Sequence, residues 1–159
     1  MSPTYAKRTV VGTMRSVEEI DKTLTRYGAS GFLYGRDMDL NPPMAFVQFK
    51  LNNRVFKMSL ALPDPNDPEF SETPTGKERS EAVQMKEWEQ AIRQRYRALS
   101  LFIKATLEAV ECGILTFDEA MLPYILMPDG HTVADHVLPE IDQMISGGQL
   151  PKALTGKGI

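Results

Sequence analysis

A β-hairpin is the sequence feature that most constrains how this chain can fold. Residues 44–51 and 54–62 are both rich in β-branched, aromatic and aliphatic side chains, and Asn52 and Asn53 separate them. Asparagine tolerates positive φ, so this pair fits the two-residue primed turn that joins antiparallel strands. The sequence therefore predicts an antiparallel hairpin over residues 44–62.

A turn of two residues also fixes which side chains share a face of the hairpin. The predicted cross-strand pairs are Leu51–Arg54, Phe49–Phe56, Val47–Met58 and Ala45–Leu60. This face is mostly apolar and is expected to meet the core. The opposite face carries Phe46, Gln48, Lys50, Val55, Lys57 and Ser59, and it is expected to face solvent or a partner.

A long helix is predicted over about residues 78–112, ending at Gly113. Its apolar positions recur at helical spacing and form one stripe. The members of that stripe are Trp88, Ile92, Leu99, Ile103, Leu107 and Val110. A short aromatic strand is also predicted over residues 30–36. We expect the stripe of the long helix to pack on the apolar face of the small sheet that this strand and the hairpin form.

Three further helices are predicted from local start signals. Ser16 followed by Glu19 matches a capping box and predicts a helix over 17–27, with residues 7–14 as an edge strand or an arm. Thr116 with Glu119 opens a short helix to about residue 126. Thr132 with Asp135 opens a last helix to Ser146, whose expected buried residues are Val133, Val137, Ile141 and Met144.

These elements predict an α+β protein, with a small antiparallel sheet on a long helix, an N-terminal helix and two short C-terminal helices. The 159 residues suit a single domain over 1–147, with a proline-rich mobile loop at 63–77 and a flexible tail at 148–159. One cysteine excludes an internal disulfide, and no apolar run is long enough for a membrane span. A cytoplasmic protein is expected.

A line of cations follows the long helix. Lys86, Arg93, Arg97 and Lys104 fall within about 20° of one line at 100° per residue, and Tyr96 stands nearby. Such a ridge can follow a phosphate backbone, and an aromatic ring beside it can stack a base. The plainer interpretation is a solvated helix face, because Glu108 is placed to pair with Lys104.

The outer face of the hairpin is the second candidate surface. Phe46 beside Lys50 and Lys57 is similar to the aromatic and basic strand surfaces that bind single strands. The alternative is an ordinary exposed sheet face with one aromatic side chain. The two surfaces strengthen each other only if they lie on the same side of the protein. The net charge of −3 gives no support to nucleic-acid binding, so local charge must carry it.

Signals for catalysis, metals and cofactors are weak. His131, Asp135 and His136 could approach Asp129, but adjacent residues of a helix point apart, and helix capping explains Asp135. The glycines form no phosphate loop or dinucleotide fingerprint. We therefore expect a protein without enzymatic activity, without a metal site and without a cofactor. A carboxylate-based nuclease is the minor alternative, because such sites scatter along a chain.

Two segments resemble small phage and prophage proteins of unassigned function. The first is 16–62, with EEIDKTLTRYGASGFLYG and a hairpin that runs on into LALPDP; the second is 88–133, from WEQAIRQRYRALSLFIK to MPDGHTV. The resemblance implies a mobile-element setting. The order of helix, YG-x-x-GF strand, hairpin and long basic helix is also similar to the core of phage single-strand annealing proteins. That pattern implies oligomeric rings whose basic groove Arg93, Arg97 and Lys104 would line.

Two functions follow as expectations. The first is a non-catalytic accessory protein that binds single-stranded nucleic acid in annealing or recombination, more tightly as a homo-oligomer than as a monomer. The second is a protein-interaction module that inhibits or adapts a host or phage complex. The acidic composition, the nine methionines and the proline-rich loop suit the second function equally well.

Overall fold

The computed structural model describes the backbone of residues 3–148 and the side chains of residues 13–148. The described chain contains one three-stranded antiparallel sheet and five α-helices, which confirms the α+β class. In chain order the elements are α1 (Pro3–Arg26), β1 (Gly31–Asp37), β2 (Met44–Leu51), β3 (Arg54–Ala61), α2 (Pro68–Ser71), α3 (Glu81–Glu111), α4 (Phe117–Met121), a 3₁₀ helix (Leu122–Tyr124) and α5 (Val133–Ser146).

The hairpin has the predicted register. β2 pairs with β3 so that Phe49 lies opposite Phe56, and β1 pairs with the other edge of β2. Asn52 and Asn53 both have positive φ, 50° and 59°, as a type I′ turn requires. The local turn chemistry and the alternation of side chains therefore predicted the hairpin correctly.

The helices α1 and α3 cover one face of the sheet. They run in parallel, since Glu19 pairs with Lys104 and Tyr27 lies beside Glu111 about two turns further along. The main core cluster joins both helices to the inner face of the hairpin. Its buried members are Ile20, Leu24, Val47, Phe49, Phe56, Met58, Ile103, Leu107 and Met121. The predicted packing of the hairpin on the long helix is confirmed.

The N-terminal helix begins well before the predicted start. α1 starts at Pro3, so Ser16 lies inside the helix and forms no capping box, and the predicted strand or arm at 7–14 is wrong. The buried side of the helix explains the error. Thr13 is 7% exposed and continues the spacing of Val17 and Ile20 upstream by one turn. The apolar periodicity outweighed the local capping signal.

The connection between β3 and α3 is partly anchored. α2 lies inside the segment 63–77, and Phe70 is buried against Trp88 and Ile92 of α3. The Trp88 indole Nε1 donates a 2.8 Å hydrogen bond to the carbonyl of Pro63. The sequence analysis did not predict this anchor. The mobility of the segment 63–77 stays a prediction. The predicted flexible tail lies, from residue 149 onward, outside the described residues.

The C-terminal helices begin where predicted. Thr116 with Glu119 and Thr132 with Asp135 both form capping boxes, and the pKa values of both carboxyl groups are lowered, mainly by backbone amides that donate to them. The α-helix that starts at Phe117 ends at Met121 instead of continuing to about 126. The chain tightens there into the 3₁₀ helix that contains Pro123.

The predicted burial of α5 is wrong. Val137, Ile141 and Met144 are 42%, 41% and 58% exposed, and no residue of α5 is buried. Before α5 the chain pairs with the free edge of β3, where the amide of Leu126 donates to the carbonyl of Val55. The helix that follows packs on the 3₁₀ helix and not on the core. The periodicity identified the apolar face but not its neighbour.

Candidate nucleic-acid interface

A groove lies between α1 and α3 on the side of the helices that faces away from the sheet. Its cavity volume is about 580 Å³, and its lining includes Arg15 of α1 together with Arg93 and Arg97 of α3. We call this feature the arginine groove. The amides of Gln90 and Gln94 and the carboxylate of Glu19 also line it, so donors and acceptors surround the arginines.

Helical spacing brings these side chains together. Val17 and Ile20 turn one side of α1 into the core, which leaves Arg15 at the boundary with α3. Arg93 and Arg97 are four residues apart on α3 and therefore share one face of that helix. The packing of two parallel helices thus places three guanidinium groups around one opening.

Two cations of the predicted stripe already have acidic partners. Lys104 Nζ forms an ion pair and a hydrogen bond with Glu19, and this contact is the main cause of the lowered pKa of the Glu19 carboxyl. Arg93 Nη1 lies 3.6 Å from Glu89 Oε2, a looser pair within one helix. Lys86 and Arg97 form no ion pair with any described side chain. Arg97 is therefore the cation of the stripe most available to an anion in the groove.

Ser100 adds a polar group to the lining of the groove. Its residue is 2% exposed, and its Oγ has no hydrogen-bond partner among the described residues. The hydroxyl also contributes to the lowered pKa of Glu19, although the two groups lack the geometry of a hydrogen bond. A buried hydroxyl without a partner is costly, and its burial keeps this one out of reach of a ligand in the groove.

Tyr96 does not serve as the stacking aromatic that the sequence suggested. The side chain is buried at 5% exposure and belongs to the core cluster that contains Trp88 and Phe70. Burial raises the pKa of its phenol above the ordinary value. Tyr96 lies under the arginines and supports α3, where a base cannot reach it.

Phe46 is engaged on the outer face of the sheet. It lies directly opposite Gly35, and a Cβ built at Gly35 would lie 2.6 Å from Cζ of the Phe46 ring. The ring therefore covers the bare backbone of the glycine. Lys57 Nζ is 5.4 Å from the centroid of the same ring, within cation–π range, whereas Lys50 is exposed. One face of the phenyl ring thus already has a neighbour.

The two candidate surfaces lie on opposite sides of the protein. α1 and α3 cover the inner face of the sheet, so Phe46, Lys50 and Lys57 point away from the helices. The arginine groove lies on the far side of those helices. The structure therefore joins Arg93 and Arg97 to Arg15 and separates them from the hairpin residues.

Arg15, Gln90 and Gln94 were missed by the sequence reading. Arg15 was missed because the first helix was predicted to start at residue 17, which left this side chain outside any predicted element. The burial of Thr13 shows that the apolar spacing of α1 continues upstream, and that spacing would have placed Arg15 on the helix.

The histidines form a hydrogen-bonded turn. His136 Nε2 lies 2.7 Å from Asp129 Oδ2, and the backbone amide of His131 donates to Asp129, which is the main cause of the lowered pKa of that carboxyl. Among the described side chains, no three His, Cys, Asp or Glu residues are grouped as metal ligands would be. No helix within the described range is long and apolar enough to cross a membrane.

Comparisons of the chain with protein-family models, with curated proteins and with solved structures gave no match.

Proposed function

We propose that this protein binds single-stranded nucleic acid through the arginine groove and acts without catalysis, as an accessory protein of a phage or other mobile element. The observation that carries the proposal is the convergence of Arg15 with Arg93 and Arg97 around one polar opening. The mobile-element setting rests on the sequence resemblance of residues 16–62 and 88–133.

Phosphate is the ligand chemistry that suits this groove. A guanidinium group presents a planar fork of donors that matches two phosphate oxygens, and three such groups provide charge and direction together. Gln90 and Gln94 add neutral donors that can bind phosphate or sugar oxygens.

The row of cations on α3 is long enough to follow a bound single strand. Lys86 lies on the same side of α3 as Arg93 and Arg97, and the line from Lys86 to Lys104 extends about 27 Å at 1.5 Å per residue. A flexible single strand can enter a groove between two helices and follow it, as strands do in other basic grooves. Lys104, at one end of this row, already forms an ion pair with Glu19.

The positive charge of the groove must attract nucleic acid although the protein as a whole is acidic. The net charge of −3 gives no long-range attraction for a polyanion. Binding would therefore come from direct phosphate contacts, which release counterions and weaken as salt rises. A steep dependence on salt is the expected signature of this mode of binding.

A salt-resolved binding assay with matched variants tests the proposal. The groove variant carries Arg93→Gln and Arg97→Gln; the control carries Lys50→Gln and Lys57→Gln, which remove the same charge from the opposite side of the protein. On single strands each lost phosphate contact reduces the slope of log K against log salt by about 0.7. We expect the groove variant to lose about one to two units of slope, and the control to match the wild type.

Three results would decide against the proposal in different ways. Equal losses in both variants would indicate attraction by charge in general rather than by the groove. A loss confined to the Lys50 and Lys57 variant would move the site to the outer face of the sheet. If no single strand binds even at low ionic strength, the protein-interaction function becomes the one to test, by pull-down from host lysate.

A further inference from the structure

α5 is an amphipathic helix with a clean boundary between its two sides. At 100° per residue its apolar side chains occupy an arc of about 140°. The members of this apolar arc are Val133, Ala134, Val137, Leu138, Ile141, Met144 and Ile145. The remaining side chains, among them Glu140, Asp142 and Gln143, all lie outside the arc.

The apolar arc is largely uncovered by the described chain. Five of its side chains, Val137, Leu138, Ile141, Met144 and Ile145, are between 41% and 58% exposed. Together they present on the order of 500 Å² of apolar surface, within the range of the largest patch on a typical monomer, which is often functional. The packing neighbour of α5 is the 3₁₀ helix, which contacts it near its N-terminal end.

α5 needs a covering partner to be a stable helix. It has 14 residues and contains Pro139 in its interior, which removes one backbone hydrogen bond. Isolated helices of this length are marginal in water, and most helices in proteins are stabilised by packing of their apolar side. The capping box at Thr132 stabilises the first turn and leaves the later turns without support.

We propose that the apolar arc of α5 is the contact surface between two copies of this chain. This inference is independent of the proposed nucleic-acid function, because the arc and the arginine groove share no residue. Two copies would join their arcs about a two-fold axis, so that the same surface serves both partners.

The area of the arc fits a homodimer. Two arcs would remove on the order of 1,000 Å² of apolar surface from water, and with the usual polar rim the total approaches about 1,600 Å², the standard size of a stable interface. The arc contains no charged or hydrogen-bonding side chain, so no polar group is left without a partner when a second aliphatic arc covers it. Purely aliphatic surfaces are self-complementary in this sense.

The charges beside the arc oppose the dimer only weakly. Glu140 and Asp142 lie near its two borders, and like charges from two copies would approach one another there. Exposed charges are screened by water and salt, so burial of the aliphatic side chains outweighs this repulsion. The dimer is therefore expected to tighten slightly as salt rises, the opposite of phosphate binding.

Sedimentation velocity over a wide range of protein concentration tests this inference. The wild type should shift from monomer to dimer as concentration rises. Ile141→Glu or Leu138→Glu should weaken the dimer at least about tenfold, as expected when a charge enters the centre of an interface. The matched control Gln143→Glu introduces the same charge on the polar side of the same helix and should leave the dimer intact. Circular dichroism should show that all variants stay folded, with at most the helical signal of the 14 residues of α5 lost in the monomeric ones.

Several results would overturn the inference. A wild type that stays monomeric up to several hundred micromolar would exclude the dimer. A dimer that resists both glutamates would place the contact elsewhere. If α5 amides resist hydrogen exchange in a monomer, and lose that protection when the chain stops after Gly148, then residues 149–159 cover the arc instead. Nucleic-acid binding by a strictly monomeric protein would leave the proposed function standing and reject the dimer alone.

Discussion

Phe46 and Phe56 lie on opposite faces of the same hairpin, and their surroundings differ. Phe56 is 1% exposed, stacks on Phe49 at a centroid distance of 5.1 Å and meets the edge of Phe117 at 5.5 Å. Phe46 is half-buried and rests on Gly35. The side-chain alternation of a strand thus makes one phenylalanine part of the core and leaves the other at the surface.

The hairpin provides a matched pair of substitutions for its predicted orientation. Phe56→Ala should cost about 3–5 kcal/mol of stability, since it removes a buried ring and leaves a cavity. Phe46→Ala should cost about 1 kcal/mol, because only part of that ring is removed from water on folding. Chemical denaturation of the two variants measures both values. Equal losses would mean that the assigned faces of the hairpin are wrong.

The hairpin was predictable because its signals are local. A two-residue turn and alternating side chains fix the pairing of Phe49 with Phe56 whatever the rest of the chain does. Arg15 was not predictable in the same way, because its role depends on where the first helix starts. Ser16 and Glu19 match a capping box, yet the burial of Thr13 and Val17 in the folded chain favours a continuous helix.

At the scale of elements, periodicity identifies an apolar helix face but not its neighbour. The same spacing rule succeeded for Trp88 and Ile92 on α3, which meet the hairpin, and failed for Val137 and Ile141 on α5. The difference arises where Leu126 pairs with the edge of β3, because that pairing sets the position from which α5 leaves the sheet. Packing of this kind depends on the whole chain and is not encoded in a local window.

The segment 63–77 offers a second test at this scale. Phe70 is its buried anchor and shares a cluster with Trp88, the single tryptophan of the chain. Phe70→Ala should expose the indole to water, shift its fluorescence to longer wavelength and speed proteolytic cleavage within 63–77. Val83→Ala, an exposed position on α3, is the control. Unchanged fluorescence together with an unchanged cleavage rate would show that Phe70 does not hold the segment.

At the scale of the whole molecule, the arginine groove and the apolar arc of α5 are separate surfaces with opposite chemistry. The groove is lined mainly by charged and polar side chains, with three arginines and one glutamate among them, whereas the arc consists of apolar side chains. If both proposals hold, one protein can bind a strand and a second copy of itself at the same time. Two linked grooves would bind one long strand with a higher effective concentration than two separate monomers.

This combination predicts how strand length should affect affinity. A strand long enough to span two grooves should bind the wild type at least about tenfold more tightly than Ile141→Glu, because the second contact becomes intramolecular. A strand that fills only one groove should bind both proteins equally, since Ile141 lies outside the groove. Gln143→Glu should behave as the wild type with both strands. Fluorescence anisotropy at one low salt concentration measures all of these affinities.

If Ile141→Glu loses affinity for the short strand as well, α5 affects the groove itself, and the separation of the two surfaces is wrong. If the long strand shows no preference for the wild type while the dimer is present, the two grooves of a dimer cannot be reached by one strand.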